Sequence, residues 1–211
     1  MNFMDLMDRG GPIMWVVLVT ACVAVIFLIE RALFLFFQKR LAKHDFLALV
    51  QNMRSEACIS LKRHSPVALI LAKINWNQVT DKDTLTREVN VQLAGIMERL
   101  EGSLPTIATL GSLLPMLGLL GTVTGMINVF EVIALHGSGD PGAMAGGISQ
   151  ALLTTAGGLA IAIPVIFCHH VLVRSLGGVL SLTEQSLHLV LSTDITLLKE
   201  QMSKSNIGGA L

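Results

Sequence analysis

The chain has 211 residues, of which 52% are hydrophobic and 14% charged, with a mean hydropathy of +0.66. Soluble domains approach a quarter charged residues, so this composition points to a membrane protein. Fifteen Lys and Arg balance fifteen Asp and Glu, and 5% aromatic content without Tyr leaves neither a basic stripe for phosphates nor a stacking platform for bases, which argues against nucleic-acid binding.

Residues 1–12 are predicted as an outer, periplasmic segment. Phe3, Met4 and Met7 fall on one face of a short helix, before Gly10-Gly11-Pro12 turns the chain toward the membrane. No basic n-region precedes the apolar run, which argues against a cleaved signal peptide. The first membrane span is predicted over 13–37, rich in Val, Ile, Leu and Phe around the Glu30-Arg31 pair. The segment 38–101 carries ten of the fifteen basic residues, including Lys39, Arg40 and Lys43, and is therefore expected in the cytoplasm. Helical patterning recurs there, after Asp45, after Pro66, and from Asp83 through Val89, Leu93, Ile96 and Leu100, with no breaker visible before Gly102.

A second span with a cytoplasmic stem is predicted over 102–135, a periplasmic loop over 136–143, and a third span over 144–173. The last two charge-free runs exceed the ~20 residues that one crossing needs, so their helices should project beyond the bilayer. Residues 174–211 read as a cytoplasmic helix ending in a loose tail. Cys22, Cys58 and Cys168 are odd in number and widely spaced, which fits small apolar fillers better than a disulfide framework or metal site. The expected fold is all-α, with three transmembrane helices and long cytoplasmic helical extensions.

The second and third spans are dense in Gly, Ala, Ser and Thr, the residue types that let helix backbones approach in lipid. Gly118, Thr122, Gly125 and Val129 share one helix face, and Gly147, Ala151, Thr155, Gly158 and Ala162 share another. Depth arithmetic sets Thr122 level with Thr154 and Thr155, about halfway across the bilayer. Gln150 lies a turn further out. Such hydroxyls either bond back to their own helix carbonyls or relay protons. Pro115 and Pro164 each free a backbone carbonyl and are candidate kinks. No Asp, Glu, Lys or Arg stands near the middle of either span, so a conducting chain would need its carboxylate from a partner. Glu131 falls at an outer helix end, and His169-His170 at an inner one. No nucleophile triad, nucleotide loop, cofactor motif or metal spacing is visible, so the chain does not read as an enzyme.

GLLGTVTGMINVF at Gly118 to Phe130 and GGISQALLTTAGGLAIAIP at Gly146 to Pro164 resemble the two signature helices of the MotA/TolQ/ExbB proton-channel family, nearest its three-span ExbB/TolQ branch. The resemblance implies a homopentamer whose second and third helices line a central pore. That pore would hold the single spans of ExbD- or TolR-like subunits bearing an intramembrane aspartate. It further implies that Thr122 and Thr155 face that aspartate on the proton route, with Thr154 and Gln150 as secondary polar candidates. The motion would pass to a TonB- or TolA-like protein acting on the outer membrane, from an inner membrane whose lipid contacts the first span. Members of this branch often carry Glu where this chain has Gln150. A non-conducting oligomeric scaffold and a sodium-coupled stator are the alternative readings.

Overall fold

The computed structural model describes residues 3–55, 65–74, 76, 79, 81–136 and 141–192. All regular structure among them is α-helical: α1 (Phe3–Ser55), α2 (Pro66–Lys73), α3 (Lys82–Glu101), α4 (Leu104–His136) and α5 (Pro141–Ser192). Three helical stretches are long and apolar enough to cross a membrane, within Gly10–Gln51, Lys82–Leu135 and Met144–Ser192. Contacts divide the chain into two units, Met1–Arg31 with Ser103–Val171, and Ala32–Gly102 with Leu172–Leu211.

In the first unit, the N-terminal part of α1 packs against α5, with Met14 beside Gly157. A non-helical residue interrupts α1 at Gly11, whose φ of 66° belongs to backbone that side-chain-bearing residues rarely adopt. Beyond it, Met14, Val17, Ala21 and Ala24 form the buried stripe, while Trp15, Val16, Val19 and Ile26 stand exposed. The same division marks α4 and α5. Ile107, Leu114, Val129, Ala151 and Ala162 are buried, whereas Met116, Leu119, Val123, Phe130, Leu152, Ile163 and Phe167 are exposed. Water would penalise this outward apolar surface, and lipid or neighbouring protein would not.

The second unit has an ordinary hydrophobic core. Ile70 and Leu71 of α2, Leu85 of α3, Leu35 of α1 and Val179 of α5 are almost wholly buried. α2 starts where Ser65 caps it, its Oγ accepting from the Ala68 N–H at 3.1 Å with Pro66 in the first turn. Beyond its end, the Trp76 indole N–H donates to the Leu71 carbonyl at 3.2 Å.

Four details depart from the sequence expectation. The pattern after Asp45 is no separate helix, because α1 runs without a break to Ser55. α3 opens at Lys82, one residue before Asp83, capped by Asp81, whose Oδ1 accepts from the Asp83 N–H at 2.6 Å. A breaker does separate α3 from α4: Gly102 takes φ 40° and closes α3 through its N–H to the Glu98 carbonyl at 3.1 Å, and Pro105 then occupies the first turn of α4. Cys22 and Cys168 are exposed free thiols rather than buried fillers, and Cys58 lies outside the described residues.

Candidate functional site

Glycine decides how closely α4 meets α5. A β-carbon added at Gly158 would lie 2.7 Å from the Leu114 carbonyl oxygen and 3.1 Å from Gly118 Cα, and one at Gly118 would lie 3.1 Å from Thr155 Cα. At Gly125 it would meet Ala151 Cβ at 2.7 Å, and at Gly147 the Val129 methyl at 2.5 Å. Rising residue numbers on α4 thus meet falling numbers on α5, an antiparallel seam from Gly111 beside Val165 and Ile166 to Val129 beside Gly147. Such near-backbone contact is how helices associate where burying leucine gains nothing.

The three mid-level threonines have different partners. Thr122 is half-buried and donates to the Leu119 carbonyl of its own helix at 2.7 Å. Thr154 is 1% exposed and donates to Ala151 O at 2.8 Å and Gln150 O at 3.3 Å, with its side chain filling the space over Gly121. Thr155 alone bonds across the seam, its Oγ1 donating to Gly118 O at 2.8 Å. An α-helix pairs that same carbonyl with the Thr122 N–H, so Gly118 O joins the two threonine positions. Each hydroxyl has its proton on a backbone oxygen and keeps lone pairs to accept another.

Gly118, Gly125, Val129, Gly147, Ala151 and Gly158 come together in this seam, with Ala162 buried further along α5. Gly121 and Gly125 of α4 touch α5, whereas Gly146 of α5 meets nothing within 4 Å. The knob of Thr154 over Gly121 was missed in the sequence, although Gly121, three residues after Gly118 and four before Gly125, shares their face. Gln150 is half-buried, with its side-chain amide against Gly11 at the break in α1. α4 and α5 continue as helices through Pro115 and Pro164. Glu131 is exposed, and His170 Nδ1 lies 2.8 Å from the Ile166 carbonyl. Beside the seam, an open groove of about 560 Å³ runs along α5, lined by Ile148, Ser149, Leu152, Leu153 and Ala156. Among the described residues, no cluster of His, Cys, Asp and Glu is placed to hold a metal ion.

Three apolar helical stretches, exposed greasy faces and a glycine seam carrying hydroxyls define a multi-pass membrane protein of the helix-bundle class. Residues 58–185, most of the chain, match the MotA/TolQ/ExbB proton channel family, and the chain belongs to it. Its relatives place it in the ExbB/TolQ branch. The Tol-Pal system protein TolQ of Pseudomonas aeruginosa is 40% identical over 86 residues, covering 41% of this chain and 37% of that protein. The biopolymer transport protein ExbB of Pseudomonas putida is 44% identical over 72 residues, 34% of this chain and 22% of that protein. ExbB of Neisseria gonorrhoeae is 34% identical over 90 residues, 43% of this chain and 41% of its own length. The matched stretches therefore span less than half of these relatives.

Proposed function

We propose that this chain is an ExbB/TolQ-like subunit of an inner-membrane proton channel that couples proton flow to mechanical work in the envelope. The observation that carries the reading is the meeting of Thr122, Thr154 and Thr155 at one level of a seam whose two helices hold no carboxylate near that level. A hydroxyl in hydrocarbon cannot take up and release a proton by itself at accessible pH, so the titrating group comes from another chain. An ExbD- or TolR-like single span with an intramembrane Asp supplies it, within a homopentamer of this chain. A TonB- or TolA-like protein receives the motion.

The hydroxyl geometry suits that task. With their protons on carbonyls, Thr122 and Thr155 offer lone pairs to a protonated acid and favour its neutral form at mid-depth. Turning a hydroxyl over supplies a donor to the carboxylate once the proton has left. Thr122 gives up only a bond within its own helix to do this, whereas Thr155 must release the Gly118 carbonyl.

The test is proton flux into liposomes holding the chain with its single-span partner. Thr122→Val and Thr155→Val keep side-chain volume, and their combination is expected to abolish flux while the complex still assembles. Full flux in the double variant overturns the proton route and leaves the scaffold reading. Flux that requires sodium at fixed proton-motive force moves the assignment to a sodium-coupled stator.

A further inference from the structure

In the second unit, α1 and α5 enclose a groove of about 410 Å³ that changes character along its length. Leu35, Phe36 and Leu172 wall one end, and Lys39, Arg40 and Lys43 line the other. The change falls where the apolar run of the first span stops, after Phe37, and where that of the third span stops, near Val173. On α5, Ser175 lines the groove and Gly178 leaves room beside the Lys39 stem, whose Cε would be 4.0 Å from a β-carbon there.

The cations are arranged at a cost. Lys39 and Lys43 stand four residues apart on one helix, a like-charge spacing that destabilises it unless an anion intervenes. No carboxylate lines the groove, and among the described residues none pairs with Lys39, Arg40 or Lys43. Arg40 is held in place by its guanidinium lying 4.5 Å from the Phe36 ring centroid, which leaves its N–H groups to bind.

We infer that this groove binds the headgroup of an anionic glycerophospholipid from the leaflet on the side of segment 38–101. Its phosphate is held by Lys39, Arg40 and Lys43, its headgroup hydroxyls reach Ser175, and its acyl chains pass Leu35 and Phe36 onto the exposed face of α1. Charge complementarity and the groove's polarity select this occupant. A free phosphate has no use for the apolar end, and a second copy of the chain would have to bring a carboxylate to the cationic one. Basic pockets between helices at a membrane boundary take such headgroups on general electrostatic grounds. The inference rests on the membrane reading alone, not on the proton route.

The full-length protein, solubilised in a neutral detergent with whatever copies accompany it, is titrated with dioleoyl phosphatidylglycerol or dioleoyl phosphatidylcholine, and bound lipid is counted by native mass spectrometry. The anionic lipid is expected to bind at least about tenfold more tightly than the zwitterionic one. Neutralising the three cations (Lys39→Gln, Arg40→Gln, Lys43→Gln) should weaken it about fivefold per charge, on the order of a hundredfold together. Ser175→Phe keeps every charge but fills the groove and should also lose the lipid, whereas Lys39→Arg with Lys43→Arg should retain it. Should the triple variant not fold, these last two variants decide the matter. Equal binding of both lipids, retention by the triple or the Phe variant, or competition by inorganic phosphate at matched concentration overturns the inference. So does lipid loss that occurs only when the copies dissociate, which would make the groove a subunit contact.

Discussion

Gly158 and Gly146 are both helical glycines of α5, and the structure assigns opposite fates to their replacement by alanine. At Gly158 the new β-carbon would sit 2.7 Å from the Leu114 carbonyl oxygen and 3.3 Å from Gly118 N. These are backbone atoms that no rotamer change can move. Reaching an ordinary contact near 3.4 Å requires α4 and α5 to part by about 0.7 Å, a gap that forfeits a quarter to a half of the dispersion attraction across the affected contacts. Overpacking of this kind costs about 1–3 kcal/mol, against which the better helix propensity of Ala returns up to about 1 kcal/mol. For a chain of this size each kcal/mol moves the melting temperature by about 2–4 °C. Gly158→Ala should therefore lower it by several degrees, whereas Gly146→Ala, with nothing within 4 Å, should leave it unchanged or raise it slightly. Thermal unfolding of the detergent-solubilised protein, followed by tryptophan fluorescence and circular dichroism, reads both. Equal melting temperatures for the two variants would refute the seam's geometry.

Thr155→Val should cost about 0.6–1.7 kcal/mol of helix association through loss of the bond to Gly118 O, and Thr155→Ser should restore most of it, measured by the same melts. Gly11→Ala combines a left-handed φ with overlap onto the Gln150 amide, so it should destabilise the N-terminal end of α1 by about 1–3 kcal/mol, seen as faster hydrogen exchange there. Ser65→Ala removes the α2 cap and should cost about 0.5–2 kcal/mol, with Ser65→Asp retaining it, detected as protease sensitivity of the second unit. Ile70→Ala opens a cavity at a position with 0% exposure and should cost about 2–5 kcal/mol by that readout.

The three apolar stretches were readable because hydrocarbon imposes a minimum length on any crossing helix and excludes charge from it. The level shared by Thr122 and Thr154 was readable from the same length rule, since an antiparallel pair of crossings must match depth. Contact needed coordinates. Sequence spacing put Gly118 and Gly125 on one face, but it could not tell that Gly121 would take the Thr154 side chain while Gly146 stayed open. The break at Gly102 was hidden because an isolated Gly beside polar residues can continue a helix or end one, and its φ of 40° is fixed by the turn it makes with Ser103. Gln150 was legible as a polar residue near the outer end of its span. Its neighbour Gly11 was not, since they are 139 positions apart in the chain.

The closeness of α4 to α5 also has an electrical consequence. Where backbone rests on backbone at Gly118 and Gly125, little width is left for a water molecule, and the carbonyl oxygen of Gly118 already serves two donors. On the proton-channel proposal, the joint between the two helices of a single copy acts as an insulator, and the wire for protons runs along a wall that this chain builds jointly with somebody else.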